Sequence, residues 1–220
     1  MNSPQIFKFL KALAKNNNRV WFEKHKSDYL EAKDQFELFV TALLQAMIKL
    51  DQGLLNLNPK KLTFRIYRDV RFSKDKKPYK SNMGATFSPG GKLMAKPGYY
   101  LHIEPGNKSF VAGGLYMPTP EDLFKIRQEV DYNAKGLEKI LTDKRFKKLY
   151  QGFDEFDKLK TAPKGFAKDH PQLERLKLKS FIVSHKLSDD DVFAGNFLKK
   201  TCAAFETLKP LNDYLGGAVG

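Results

Sequence analysis

Residues 62–87 read L-T-F-R-I-Y-R-D-V-R-F-S-K-D-K-K-P-Y-K-S-N-M-G-A-T-F. Leu62, Phe64 and Ile66 alternate with Thr63, Arg65 and Tyr67, and Met83, Ala85 and Phe87 alternate again at the far end. Period two is the signature of a strand, so both ends are predicted to be extended. Arg65, Arg68 and Arg71 recur at a spacing of three, which one face of a strand cannot accommodate. With Pro78 as a breaker, the stretch reads as strand, loop, strand. Between Arg65 and Gly84 stand seven basic residues (Arg65, Arg68, Arg71, Lys74, Lys76, Lys77, Lys80) against Asp69 and Asp75, a local charge of +5. Tyr67, Phe72 and Tyr79 are threaded among them. Guanidinium groups gathered in a loop offer planar forks of donors to phosphate or carboxylate. The competing account is a solvated basic loop, paired internally through its two aspartates.

Downstream, Tyr99, Leu101 and Ile103 alternate with Tyr100, His102 and Glu104 in a predicted strand. Glu104-Pro105-Gly106-Asn107 has proline second and glycine third, as a type II turn requires. Ser109 to Tyr116 returns as the next strand, and Gly113-Gly114 marks a bulge or a close backbone approach. A turn is expected at 88–91 and a further strand at Ser180 to Ser184.

Helices flank this region. Ser3 and Pro4 start one that runs to Ala14, with Ile6, Leu10 and Leu13 on one face. In the short segment that follows, Arg19, Trp21 and Lys24 either dock one helix on another or wall a pocket. Tyr29 to Leu50 is read as a long helix with a core-facing stripe of Ala32, Phe36, Phe39, Val40, Leu43, Met47 and Leu50. Thr119-Pro120-Glu121-Asp122 is a capped helix start. Helical stretches follow at 133–141 and 144–150, then a long ordered loop from Phe153 to Lys168. Ser188 is predicted to cap a final helix whose first turn holds Asp189, Asp190 and Asp191. These elements predict an α+β fold in a single domain over 1–215, with a flexible tail at 216–220. Its sheet is mostly antiparallel, of about five strands, packed against N-terminal and C-terminal helices.

Composition sets the partners and the exclusions. The 220 residues contain 39 Lys and Arg against 25 Asp and Glu, a formal charge of +14, which favours anionic partners. The single cysteine, Cys202, excludes an internal disulfide and argues against a cysteine-based zinc site. No phosphate-loop, dinucleotide-fold, nucleophile-elbow or zincin motif occurs, so no cofactor is named. His25, His102, His170 and His185 do not stand at metal-ligand spacing, and no metal site is expected. No apolar stretch suits a signal or a membrane span, which predicts a cytoplasmic location and no membrane partner.

The motif R-D-V-R-F-S-K-D-K-K-P-Y-K-S-N-M-G resembles that of a widespread family of conserved proteins, the domain of unknown function 2461. N-N-N-R-V-W-F-E-K-H-K-S-D-Y, G-Y-Y-L-H-I-E-P and P-K-G-F-A-K-D-H-P extend the resemblance from about Ile6 to Leu208. It implies a single-domain protein and no particular activity.

Three expectations follow. Arg65, Arg68, Arg71, Lys76 and Lys80 bind an anionic small molecule, with Asp69 orienting the arginines and Tyr79 and Tyr100 shaping the site. Alternatively, the same stretch joins Lys158, Lys160, Lys164 and Lys168 in binding nucleic acid. Or His102, with Glu104 or Asp69, serves as acid and base on a phosphorylated substrate.

Overall fold

The computed structural model describes residues 3–89, 91 and 96–220. The fold is α+β, with helices and a four-stranded antiparallel sheet of order β1-β2-β3-β4. The strands are β1 (Met83–Phe87), β2 (Gly98–Ile103), β3 (Ser109–Leu115) and β4 (Phe181–Leu187). The expected turn at 88–91 includes Gly90, which lies outside the described residues.

The strand expected at Ser180 to Ser184 is β4, but the one anticipated at 62–67 does not form. Thr63 bridges Ala85 and Tyr67 bridges Tyr79, both antiparallel, but the two bridges differ in register. Three residues separate Thr63 from Tyr67, while five separate Tyr79 from Ala85, so Ser81 and Asn82 bulge out and interrupt the ladder. What remains is a set of single bonds. Phe64 N donates to the Gly84 carbonyl (2.9 Å), Lys80 N to Ile66 (2.8 Å) and Arg68 N to Pro78 (2.9 Å).

The chain clusters into two units. The first contains the chain up to Phe87 with Tyr100–Val111 and Lys186–Cys202. Its helices include α1 (Ser3–Lys15), α2 (Arg19–Lys24) and α3 (Lys26–Ile48). The apolar stripes read from the sequence are buried: Ile6, Leu10 and Leu13 on α1, and Phe36, Val40, Leu43 and Met47 on α3. The α3 ring of Phe39 stacks on Phe197 at 5.1 Å. Ser3 lies inside α1, and its hydroxyl donates to the Val192 carbonyl (2.9 Å).

The second unit contains Ser88–Tyr99, Ala112–His185 and Ala203–Gly220. Here lie α4 (Pro120–Tyr132), α5 (Ala134–Thr142), α6 (Lys144–Leu149) and α7 (Leu173–Leu176). Thr119 caps α4 as expected, its side chain accepting from Asp122 N. Gly114 adopts φ +119°, and a Cβ there would collide with the Phe181 carbonyl oxygen. The close backbone approach expected at Gly113-Gly114 is therefore present, and only glycine fits.

Ser188 does cap a helix, through a reciprocal box with Asp191, but that helix is short. It is α8 (Asp189–Phe193), after which Ala194 turns to an extended conformation. A separate helix, α9 (Phe197–Val219), closes the chain and includes most of the segment for which fraying is expected.

Candidate functional site

The basic stretch folds back on itself in the first unit. Its base is the Tyr67–Tyr79 bridge and the Arg68–Pro78 hydrogen bond, and residues 69–77 form its tip. The base is fixed from far away in sequence. Asn17 donates from Nδ2 to the Tyr79 carbonyl (3.0 Å) and accepts from Tyr79 N at Oδ1 (3.1 Å), as a neighbouring strand would. The Tyr79 ring is buried and stacks on Phe22 of α2 at 4.0 Å, with Tyr67 5.4 Å away. Tyr79 therefore anchors the loop, a different place from the ligand-facing position read from the sequence. Trp21 stacks on His25 at 4.0 Å and lies 6.4 Å from Phe9, which makes it a docking residue, while Arg19 and Lys24 are exposed.

The two aspartates hold two of the arginines. Asp69 accepts from Arg71 Nε (3.0 Å) and Nη2 (2.6 Å), and Arg71 N donates to the same carboxylate (3.2 Å). The Arg71 hydrogen bond holds the Asp69 pKa below its usual value, with the charge of Arg65 adding to the effect. Arg68 Nη1 donates to Asp75 (2.7 Å) and to the Lys77 carbonyl (3.3 Å), and Nη2 to the Ser73 hydroxyl (3.3 Å). Arg68 thus braces the loop from within, its side chain 26% exposed against 76% for Arg71. Lys76 donates to the Val70 carbonyl (3.1 Å). Arg65, Lys74, Lys76 and Lys77 are exposed. Phe72, at the tip, is 96% exposed, with the Arg71 guanidinium carbon 5.9 Å from its ring centre.

Beside the base lies a second polar group. Tyr99, Leu101 and Ile103 of β2 are buried, and the alternation puts Tyr100, His102 and Glu104 on the other face. His102 Nε2 stands 3.0 Å from Glu104 Oε2, and Nδ1 3.2 Å from the Tyr100 hydroxyl. A carboxylate only accepts, so the neutral ring carries its proton on Nε2 and accepts a hydrogen bond from the Tyr100 hydroxyl at Nδ1. Burial lowers the His102 pKa; the Glu104 hydrogen bond and charge oppose this, and Lys80 reinforces it. Burial, then the Glu104 charge, pushes the Tyr100 phenol up to about 12. Phe110 stacks on His102 at 4.6 Å, and the Lys80 ammonium stands 5.4 Å over Phe64. A Cβ on Gly84 would stand 2.5 Å from the Tyr100 hydroxyl, so glycine leaves the room that this ring occupies. The loop charge felt by His102 is that of Lys80.

In the second unit, Lys158 bridges Glu155 and Glu174, both at 2.8 Å, so this lysine is held within the fold. Lys160, Lys164 and Lys168 are exposed. The His170 ring closes a loop between Asp131 (2.9 Å) and the Gln172 N–H (3.0 Å). Among the described residues, no cluster of His, Cys, Asp and Glu is arranged to hold a metal ion, and no helix is long and apolar enough to cross a membrane.

Fold and loop together define a class: an α+β protein that displays a braced, cation-rich loop next to a Tyr–His–Glu relay. The chain belongs to the family described as "Conserved hypothetical protein (DUF2461)", which it matches over residues 5–214. No curated protein and no solved structure matches it.

Proposed function

We propose that the loop at 65–80 binds a ligand bearing phosphate or carboxylate. One observation carries this reading: after both aspartates have taken a partner, Lys74, Lys76 and Lys77 at the tip and Arg65 below the base are still exposed to solvent. Arg71 contributes as well. Asp69 occupies its Nε–Nη2 edge, and the Nη1–Nη2 edge is left for an incoming oxyanion. Asp69 acts by orienting that fork, and Arg68 by bracing the loop. Lys80 extends the cationic surface toward the relay to which Tyr100 belongs.

Titration of the full chain with nucleotides, sugar phosphates and heparin at two salt concentrations tests the reading. Binding that weakens in Arg71→Ala and in Lys76→Ala is the expected result. If both variants bind every ligand as the parent does, the proposal fails. A steep logarithmic dependence on salt identifies a polyanion, and a shallow one a small molecule.

A second reading, an enzyme acting on a phosphorylated substrate, is favoured by the relay alone. A hydroxyl against a ring nitrogen, with a carboxylate orienting the ring, is a proton-transfer arrangement. Release of phosphate from a panel of monoesters, lost in both His102→Gln and Glu104→Gln, is its expected signature. Turnover unchanged in those variants, or no turnover at all, removes it.

A further inference from the structure

We infer that Phe72 is a stacking platform for an unpaired base, which makes single-stranded nucleic acid the polyanion that the loop recognises. This rests on the anion-binding reading above and names its partner. A phenylalanine ring that is 96% exposed gains nothing from the fold of its own chain, while every large aromatic of the loop's base is at least partly covered. Its neighbours are Arg71, placed 5.9 Å from the ring centre, and the exposed Lys74, Lys76 and Lys77. Cations that follow a phosphate backbone, interleaved with an aromatic face for the bases, are the two components of sequence-tolerant single-strand binding. A duplex hides its base faces in the stack, so such a ring discriminates against it. An anionic membrane is the weaker match. One phenyl ring inserts little apolar area into a bilayer, whereas it covers one whole base face.

The test uses the full chain and fluorescence polarisation at low salt. The probes are an oligothymidylate of about 20 nucleotides, the same backbone with abasic sites, a duplex of equal length, heparin, and phosphatidylserine vesicles. The parent is expected to prefer the oligothymidylate over the abasic strand by about tenfold. Phe72→Ala should erase that preference and leave heparin affinity unchanged, while Phe72→Trp should keep it. Equal affinity for the two strands in the parent overturns the inference, as does a preference that survives Phe72→Ala. Vesicle binding that depends on Phe72, without a base preference, overturns it in favour of a membrane. If heparin binds and the base preference is absent, the stacking inference alone fails. If neither heparin nor any strand binds, the polyanion assignment fails, and the anion-binding reading fails with it only when nucleotides and sugar phosphates do not bind either.

Discussion

The Asp69 carboxylate holds Arg71 by Nε, Nη2 and the backbone N–H at once, in a pair that lies wholly at the surface. An exposed pair of this kind adds little to stability, so its effect is on the charge and aim of one guanidinium. Asp69→Asn removes one negative charge from the loop and frees the edge of Arg71 that it covers. On a polyanion the added charge outweighs the lost aim. The expected outcome is tighter heparin binding at low salt, with a logarithmic salt slope steeper by about 0.7–0.9. An unchanged slope would show that Arg71 does not meet the ligand.

The relay predicts a pH dependence. His102 has a folded pKa below its ordinary 6.5, so the fold favours the neutral ring. The unfolded chain binds the proton first as pH falls, which lowers stability from about pH 6.5 down to the folded value and leaves it level above. Thermal unfolding from pH 7.5 to 5 should show this decline, and His102→Gln should flatten it. At the alkaline end the sign reverses. The Tyr100 phenol is pushed up to about 12, so the stability it contributes is present below about pH 10 and is lost between there and 12. Tyr100→Phe should remove that component from the alkaline unfolding curve.

Gly84 and Tyr100 should be coupled. A methyl group on Gly84 meets the Tyr100 hydroxyl at 2.5 Å, and the ring carbon behind it at 3.1 Å. Gly84→Ala is expected to destabilise by about 1–3 kcal/mol. In a Tyr100→Phe background the nearest atom is gone, and part of that loss should be recovered. Denaturant melts of the four proteins give the coupling directly. Additive effects would mean that the ring does not cover the glycine in solution.

The parts of this architecture that were legible in the sequence are those written in local pattern. Alternation in 99–104 placed Tyr100, His102 and Glu104 on one face, and Gly113-Gly114 announced a close approach because glycine alone tolerates it. The internal ion pairs were legible too, since Asp69 and Asp75 lie within seven residues of their arginines. What was not legible depended on distant partners. The role of Tyr79 as an anchor needs Asn17, 62 residues earlier. The broken strand at 62–67 shows the same alternation as a paired one, and only the offset at Ser81 and Asn82 interrupts it. Nothing in the spacing of Phe72 distinguishes it from the core aromatics, because exposure is a property of the folded tip.

Arg68 and Arg71 look equivalent in sequence but should fail differently. Arg68 spans the loop to Asp75, Ser73 and the Lys77 carbonyl, whereas Arg71 contacts Asp69 alone among acids. Losing charged hydrogen bonds that tie three points of one loop should open the tip about tenfold more often. Phe72 then becomes a better cleavage site, so limited chymotrypsin digestion should nick Arg68→Ala after Phe72 about tenfold faster than the parent. Arg68→Lys should not restore resistance, since an ammonium cannot reproduce a planar fork held by several acceptors. Arg71→Ala should be cut at the parent rate and lose only anion affinity, and Arg71→Lys should recover only the part that charge alone supplies, not the part that needs the fork. Equal protease sensitivity in Arg68→Ala and Arg71→Ala would overturn this division of labour between brace and contact.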